Sequence, residues 1–361
     1  MNLPTTRARR VVAAGAAVAL GAVAALGQAP AQAAEPTETL ADGLFSPLSV
    51  AVNGDDVAYF SENFAGRLLM KKPGRKVKEV FTSPKGNEVG AISTKGKKVY
   101  FVHGFKLMEI NKKGAISPLA SFRAYEKQHN PDGDLEYGLV DPSAECAEGW
   151  PTQGPPASYP GIVESHPYGT EAKGAAVFVA DAAANAILMY QGGEVSTVAV
   201  LPQVPVEITA EMAEEFQVPE ACVGTTYNFE SVPTDVEMGP DGLLYVTTLP
   251  GGEIPGAASV LTVDPDSGAV ETVAGGFTSA TNVAVDGNGD VYVTELFTNT
   301  LTKVPAGGEP EPFWQGQGAP GPAAVEIRNG VLYATINALT GQSGEPGDEP
   351  AGELVTWQLV E

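Results

Sequence analysis

The sequence predicts an all-β protein, a six-bladed β-propeller closed by its own N-terminal strand. Residues 232–248 read as a strand, a tight Pro-Asp-Gly turn and a second strand, and residues 280–295 repeat that pattern. The 42 glycines and 29 prolines of the 361-residue chain suit a protein with many turns. Self-similarity at a fixed spacing is the main sign of a repeat architecture, so this repeat decides the fold class.

Six copies of the turn and strand can be aligned on one aromatic residue each. The spacings between successive aromatic residues are 41, 78, 67, 47 and 41. A period near 41 fits a four-stranded propeller blade. Segments typical of a third and a fourth strand follow the hairpins, for example residues 186–190 and 195–201. The aligned aromatic residues are Tyr59, Tyr100, Phe178, Tyr245, Tyr292 and Tyr333.

Both ends of the chain favour closure of the ring. The sixth copy runs out in its third strand at residues 353–360. Near the other end, residues 39–47 resemble residues 272–279, which end a fourth strand. We therefore expect the N-terminal strand to complete the last blade, which would pair the two edges that an open ring exposes.

The two long spacings place insertions at about residues 124–165 and 203–231 of a single domain, residues 34–361. Each insertion joins a fourth strand to the next first strand, so both are expected on one face of the propeller, beside the third blade. Cys146 lies in the first insertion and Cys222 in the second, and two cysteines in an exported chain predict one disulfide. Thr209 is predicted to cap a short helix over residues 210–216.

The first 33 residues read as a secretory signal peptide. Arg7, Arg9 and Arg10 precede an apolar run over residues 11–26, and Ala31-Gln32-Ala33 is a typical cleavage site. We expect cleavage after Ala33 and a secreted, extracellular protein, by either the Sec or the twin-Arg route. No later stretch is long and apolar enough to predict a membrane span.

The charge of the chain limits its partners. Its 44 acidic and 21 basic residues give a net charge of −23, which disfavours nucleic acid and anionic lipid as partners. We expect a monomer that binds a small molecule or an extracellular protein.

Several segments resemble the ScyD/ScyE family of bacterial secreted propellers. They are residues 165–169 (Ser-His-Pro-Tyr-Gly), 177–182, 195–202, 232–236, 239–246 and 275–278. A broader likeness is to NHL-type and gluconolactonase-like six-bladed rings. The resemblance implies a propeller fold and export, and it implies no particular reaction.

Two positions in each blade are expected to face the mouth of the central channel on the insertion side. The polar residues at or beside these positions, which we predict to bind a ligand, are His166, Tyr168, Asp181, Asp235, Asn282 and Glu295. Structural interpretations compete with this one. Asp181 and Glu295 also suit binding of turn amides near their own strand ends, Asp235 and Asn282 suit capping of inner strands around a water-filled channel, and His166 beside Pro167 suits a structural role.

The leading functional hypothesis is binding of a ligand or partner through the insertion face, with no residue assigned to catalysis. The alternative is a divalent-metal-dependent hydrolase or lyase of the gluconolactonase-like type, in which Asp235, Asn282 and Glu295 would supply oxygen ligands. A purely structural envelope protein is the third hypothesis. A Ser-His-acid hydrolase is disfavoured because the sequence has no Gly-x-Ser-x-Gly motif.

No cofactor is predicted apart from Ca²⁺ as a candidate. Asn130, Asp132, Asp134 and Glu136 alternate in the first insertion and offer the oxygen ligands that Ca²⁺ prefers. The competing interpretation is a solvated acidic loop, which is common in acidic proteins. Residues 286–290 begin like an EF-hand loop but lack its glycine and its final glutamate, so they are predicted to form a hairpin turn.

Overall fold

The computed structural model describes residues 35–318, 320–345 and 347–359. The signal peptide predicted for residues 1–33 lies outside this part of the chain. The described residues form seven four-stranded antiparallel sheets and three short α-helices, which confirms the all-β class. None of their helices is long and apolar enough to cross a membrane.

In the first half of the chain, β1 (Glu38–Leu44) precedes two sheets of consecutive strands. Ring sheet 1 contains β2 (Val50–Val52), β3 (Ala58–Glu62), β4 (Arg67–Lys71) and β5 (Lys78–Thr82). Ring sheet 2 contains β6 (Val89–Lys95), β7 (Lys98–His103), β8 (Lys106–Ile110) and β9 (Ile116–Ser121). The first insertion then forms α1 (Phe122–His129), β10 (Glu136–Leu139), α2 (Ala144–Gly149) and β11 (Ser158–Pro160).

Ring sheet 3 follows with β12 (Pro167–Lys173), β13 (Ala176–Asp181), β14 (Ala186–Gln191) and β15 (Glu194–Val200). The second insertion forms β16 (Val204–Glu207), α3 (Ala210–Glu215), a 3-10 helix (Glu220–Cys222) and β17 (Thr226–Phe229). Ring sheet 4 contains β18 (Pro233–Met238), β19 (Leu244–Thr248), β20 (Ala258–Val263) and β21 (Val270–Phe277). Ring sheet 5 contains β22 (Ala280–Val285), β23 (Val291–Glu295), β24 (Thr300–Val304) and β25 (Glu311–Gln315).

Ring sheet 6 joins the two ends of the described chain. Its strands β26 (Pro322–Arg328), β27 (Val331–Ile336) and β28 (Gly352–Gln358) are consecutive, and β1 supplies the fourth. Thr39 pairs with Val355 and Leu44 with Gly352 in an antiparallel register. The predicted pairing of the N-terminal strand with the last sheet is thereby confirmed.

The six ring sheets surround a common centre. Their first strands, called inner strands below, contact one another in the closed order β2, β6, β12, β18, β22, β26 and back to β2. A hydrophobic cluster lies between each pair of neighbouring ring sheets, such as Phe60 with Leu354 between sheets 1 and 6 and Phe101 with Leu68 between sheets 1 and 2. Alternating apolar residues on both faces of each sheet build these clusters, so the core is divided among the interfaces.

The seventh sheet was not predicted from the sequence. The two insertions combine into one insertion sheet of order β11-β10-β17-β16. A disulfide between Cys146 of α2 and Cys222 of the 3-10 helix joins the two insertions, as predicted. We call the insertion sheet, α2, α3 and the 3-10 helix the insertion module.

Helix α3 was predicted from the sequence and helix α1 was not, and their N-termini explain the difference. Thr209 caps α3, and its hydroxyl accepts a hydrogen bond from the Met212 amide at 3.2 Å, as predicted. Helix α1 follows directly from β9, and its N-cap Ser121 makes no side-chain cap. Because no capping residue marks its start, α1 carries none of the usual sequence signals.

Candidate functional site

The structure does not gather the six predicted channel-mouth residues into one site. One pair lines the channel, a second pair lines a small cleft beside it, and a third pair lies at strand ends. In that order the pairs are Asp235 and Asn282, His166 and Tyr168, and Asp181 and Glu295.

Asp235 and Asn282 each join their own inner strand to the inner strand of the next sheet. Asp235 Oδ2 accepts a hydrogen bond from the Val283 amide at 3.1 Å, and Asn282 Oδ1 accepts one from the Val325 amide at 2.7 Å. On the other side, a Cβ at Gly169 would overlap the Asp235 carboxylate, so only glycine permits this approach. These contacts favour the strand-capping interpretation of both residues, because the oxygens already serve buried amides.

The channel beside these residues is narrow and acidic. Its volume is about 20 Å³, which suits about one water molecule and no metabolite. Asp235, Glu171, Glu237 and Glu326 line it. Burial raises the pKa of Asp235 to about 8 and that of Glu326 to about 8, the latter against the attraction of Arg328.

At about pH 4, where the buried carboxyl keeps its proton, replacing Asp235 by Ala is expected to lower the free energy of unfolding by about 1–3 kcal/mol, because the buried Val283 amide loses its acceptor. Asp235→Asn keeps an oxygen there and reproduces the contact that Asn282 makes one sheet further on, so it should be close to neutral at that pH. Urea unfolding of the three proteins measures the difference. Equal losses in both variants would contradict a structural role for the oxygen.

The same variants are expected to differ in their dependence on pH. The folded pKa of Asp235 is about 8, above its usual value of 3.8, because burial and the nearby Glu171 outweigh the Val283 amide. Its bound proton therefore stabilises the fold fully below about pH 3.8, and this contribution declines as the pH rises from there and is lost above about pH 8. Between about pH 4 and pH 8, a rise in pH should cost Asp235→Asn less stability than it costs the wild type.

Asp181 holds the segment that leads into its own sheet. Its Oδ1 accepts a hydrogen bond from the His166 amide at 2.6 Å, and its Oδ2 accepts one from Ser165 Oγ at 2.7 Å. Burial raises its pKa to about 6, although the Ser165 hydroxyl and the His166 amide oppose the shift. This arrangement favours the turn-binding interpretation.

Glu295 makes the equivalent contacts in ring sheet 5. Its Oε2 accepts a hydrogen bond from the Thr278 amide at 3.0 Å, and its Oε1 accepts one from Thr302 Oγ1 at 2.7 Å. Glu62 does the same in ring sheet 1, where it accepts from the Phe45 amide at 3.0 Å. A carboxylate at this position therefore fixes the entry to the inner strand in at least three of the sheets.

His166 and Tyr168 lie in a cleft of only about 10 Å³ between ring sheets 2 and 3. His166 Nε2 is 3.3 Å from Glu88 Oε2, and half of the His166 side chain is exposed. The hydrogen bond to Glu88 raises the pKa of His166, while burial opposes it. This exposed pair is a polar surface feature beside the channel, and the cleft is too small to enclose a ligand.

One serine and histidine pair invites comparison with a hydrolase. Ser83 Oγ and His103 Nε2 lie 2.9 Å apart. Burial lowers the pKa of His103, and the charged group beside it is Lys106 rather than a carboxylate. Among the residues that the structure describes, no acid orients this imidazole as a base.

The insertion module contains a cavity larger than the channel and the cleft. This aromatic pocket has a volume of about 430 Å³, within the range of small-molecule sites. Trp150 and Tyr227 stack with their ring centres 5.4 Å apart, and Tyr227 packs on Phe229 at 4.6 Å. Further lining residues include Tyr159, Met212, Phe216, Val218 and Glu230.

Glu230 is the one charged residue among the described residues that line the aromatic pocket. It is partly buried. Burial is the main cause that raises its pKa, repulsion from Asp132 adds to this, and a hydrogen bond with Asn185 opposes it. A single carboxylate in an apolar cavity favours a ligand group that is cationic or donates a hydrogen bond.

Local sequence signals position the walls of this pocket. Ser143 Oγ accepts a hydrogen bond from the Cys146 amide at 3.1 Å and caps α2, and the disulfide then holds α2 against the 3-10 helix. Trp150 directly follows α2, and its Nε1 donates to the Pro155 carbonyl at 3.1 Å. The sequence analysis singled out the two insertions as a binding face but did not name these residues. The concentration of aromatic residues in the two insertions was the available signal.

The metal hypothesis finds limited support in side-chain placement. Among the described ranges, no group of three or more His, Cys, Asp or Glu residues has the spacing to hold a metal ion. The four alternating residues of the first insertion separate: Asp132 is fully buried, whereas Asp134 and Glu136 are exposed. Glu136 accepts a hydrogen bond from Ser158. The alternation therefore does not form the predicted ligand set.

The fold is similar to those of solved propeller-type proteins. A PQQ-bound aldose sugar dehydrogenase from Streptomyces coelicolor is 12% identical, with a TM-score of 0.55 over 91% of this chain and 99% of that chain. A gluconolactonase from Xanthomonas campestris is 10% identical, with a TM-score of 0.53 over 88% of each chain. A virginiamycin B lyase from Staphylococcus aureus is 15% identical, with a TM-score of 0.50 over 86% of this chain and 94% of that chain.

At these identities the likeness shows the fold alone. No protein-family model matches the chain, and no curated protein sequence matches it either. The resemblance to the ScyD/ScyE family therefore stays a prediction.

Proposed function

We propose that this chain is an exported six-bladed β-propeller that binds a small ligand, without turnover, in the aromatic pocket of its insertion module. The observation that carries the proposal is the pocket itself, about 430 Å³ with stacked aromatic walls and one carboxylate. Asp235 and Asn282 at the channel, by contrast, already accept hydrogen bonds from the amides of the next inner strand. The proposed binding site is therefore the insertion module, and not the channel mouth that the sequence predicted.

The architecture behind this proposal assigns the seven sheets to two roles. Ring sheets 1 to 6 are the blades, since their inner strands contact one another in a closed order. The seventh sheet is an insertion that sits outside the ring order, because its strands come from the two insertions alone. The disulfide and the N-terminal sequence support export and cleavage after Ala33.

The walls of the pocket indicate the class of ligand. Aromatic faces bind flat apolar groups and attract cations, most strongly over tryptophan. Glu230 adds a partly buried carboxylate, which a ligand group that donates a hydrogen bond would stabilise. We infer a small aromatic or alicyclic molecule that carries one ammonium group.

The alternative function is a divalent-metal-dependent hydrolase or lyase. Its support is the fold likeness to a gluconolactonase and a virginiamycin B lyase. Such a site would use the side-chain oxygens of Asp235 and Asn282, which already accept hydrogen bonds from backbone amides. The channel beside them has a volume of only about 20 Å³. These contacts leave binding as the better-supported function.

Three probes of one shape and different charge test the ligand class. Phenethylamine is a cation, 2-phenylethanol is neutral and 3-phenylpropionate is an anion at pH 7. We expect affinity to fall in that order, measured by thermal shift and by the change in tryptophan fluorescence that is absent from Trp150→Ala. Glu230→Gln should weaken phenethylamine roughly tenfold and leave 2-phenylethanol almost unchanged, because only the cation gains from the carboxylate.

The matched control is Glu207→Gln, which removes an exposed carboxylate from the same insertion sheet. It should bind all three probes like the wild type. Saturable binding that survives Trp150→Ala would place the site elsewhere. No saturable binding of any probe, together with hydrolase or lyase activity that EDTA abolishes, would favour the alternative.

A further inference from the structure

Two carboxylates are fully buried where the first insertion meets ring sheet 3. Glu126 of α1 and Asp132 are each 0% exposed. Neither oxygen of Glu126 has a hydrogen-bond partner, and Asp132 Oδ1 has none. Asp132 Oδ2 accepts from Tyr137 OH at 3.1 Å and from Asn185 Nδ2 at 2.9 Å. Three buried carboxylate oxygens thus lack the partners that such atoms normally have.

A fourth buried oxygen without a partner belongs to Asn130. Asn130, the C-cap of α1, has a buried Oδ1 without a hydrogen-bond partner. Its Nδ2 donates to the Gly161 carbonyl at 3.1 Å, which fixes the orientation of the amide. Gly161 also lies close to Asp132, since a Cβ at position 161 would overlap the Asp132 carboxylate. This close approach requires glycine. Asn130 and Asp132 therefore meet at the same glycine.

Within the described ranges, no positive side chain forms an ion pair with this group. The described residues form five ion pairs, and none includes Glu126 or Asp132: they are Arg67–Glu62, Arg67–Glu79, Lys98–Glu109, His166–Glu88 and Lys303–Asp290. The charged groups that act on Glu126 are the acids Asp181 and Asp132. The Glu164 backbone amide lowers the pKa of Glu126, and it offsets only part of the rise that burial and these two acids cause. An unpaired buried charge is costly unless a cation or a proton neutralises it.

We propose that Glu126, Asn130 and Asp132 form the protein part of a Ca²⁺ site. Two carboxylates and one amide oxygen are hard ligands, which Ca²⁺ prefers, and the two negative charges match one divalent cation. Zinc and copper are disfavoured because the set contains neither histidine nor thiolate. With only two acids, the set is smaller than a three-acid cluster, and backbone carbonyls and water would complete the coordination.

The site has a structural role within the fold. Asn185 lies in the turn between β13 and β14, and its side chain bridges the two insertions. Its Nδ2 donates to Asp132 in the first insertion, and its Oδ1 accepts from the Val232 amide, at the end of the second, at 2.9 Å. A cation on Asp132 would therefore stabilise the attachment of the insertion module to ring sheet 3. This inference does not depend on the ligand of the aromatic pocket.

The test uses the full exported chain after removal of metal with EDTA. Ca²⁺ should raise the melting temperature by a few degrees, since it binds only the folded state. Tb³⁺, which substitutes for Ca²⁺, should show luminescence sensitised by Tyr137, whose hydroxyl contacts Asp132. Excess Ca²⁺ should abolish that signal, and Mg²⁺ should do so less effectively.

Variants of matched shape locate the site. Glu126→Gln and Asp132→Asn should each weaken Ca²⁺ binding at least roughly tenfold, because each removes one ligand charge. Asp134→Asn removes an exposed carboxylate two residues away and should bind like the wild type. If all three variants weaken Ca²⁺ binding equally, the effect comes from the overall negative charge of the protein, and the proposed site is wrong.

A shared proton is the competing explanation of the buried pair. In that case millimolar Ca²⁺ leaves the melting temperature of the wild type unchanged, no Tb³⁺ signal appears, and Glu126→Gln melts above the wild type at pH 8. This combination would overturn the cation site. If a variant does not fold, the wild-type Tb³⁺ titration decides alone.

Discussion

A chain that lacks residues 35–44 is expected to lose at least about 4 kcal/mol of its free energy of unfolding. Removing β1 deletes the antiparallel pairing with β28 and the buried side chains of Ala41 and Leu44. It also leaves β28 as an open edge at the interface with ring sheet 1. Urea unfolding and size-exclusion chromatography should show a destabilised protein that associates through this edge.

Two further variants make the result interpretable. A chain that begins at Pro36 keeps the hydrogen bond from the Thr37 amide to the Thr356 carbonyl and should unfold like the parent. Leu44→Ala, in the intact chain, should cost about 2–4 kcal/mol because it leaves a cavity between sheets. If the deletion and Leu44→Ala both unfold like the parent, β1 does not contribute to closure of the ring.

Loss of the disulfide is expected to release the insertion module and to leave the ring folded. Cys146 and Cys222 are 76 residues apart in sequence, and closing a loop of that size contributes about 4 kcal/mol. Both cysteines are fully buried in a cluster with Tyr227 and Ile208. Cys146→Ala with Cys222→Ala should therefore weaken phenethylamine binding at least roughly tenfold, since the pocket walls must be ordered on binding.

The two parts of the molecule can be followed separately. Far-UV circular dichroism should keep the signal of the ring, while limited proteolysis should cut first within residues 141–160. The wild type treated with reductant should behave like the double variant. A double variant that binds phenethylamine and resists proteolysis like the wild type would show that the module is stable without its covalent link.

The ring was predictable because each blade repeats one local pattern. Segments such as 300–304 appear as strands with the same bounds, since hairpin turns and alternating residues are read within a few positions. The insertion sheet was not predictable in this way. It pairs Leu139 with Tyr227, from insertions that ring sheet 3 separates in the chain, and it has no repeat to mark it.

The candidate site shows a different limit. Position within a blade identified Asp235 and Asn282 as residues of the inner strands, which is correct. It did not show that the next inner strand presents an unpaired amide to each of them. The pocket residues Trp150 and Phe229 come from segments without periodicity, so only the composition of those segments could have drawn attention to them.

The pairing of β1 with β28 also places the first and last strands of the described chain side by side in one sheet. The Thr37 amide donates to the Thr356 carbonyl, and the Gln358 amide donates to Thr37 Oγ1 at 3.3 Å. The two ends of the described fold are thus neighbours, and a short linker would join them. New ends opened in an exposed hairpin turn, such as the one around Gly54, would give a circular permutant with every blade intact.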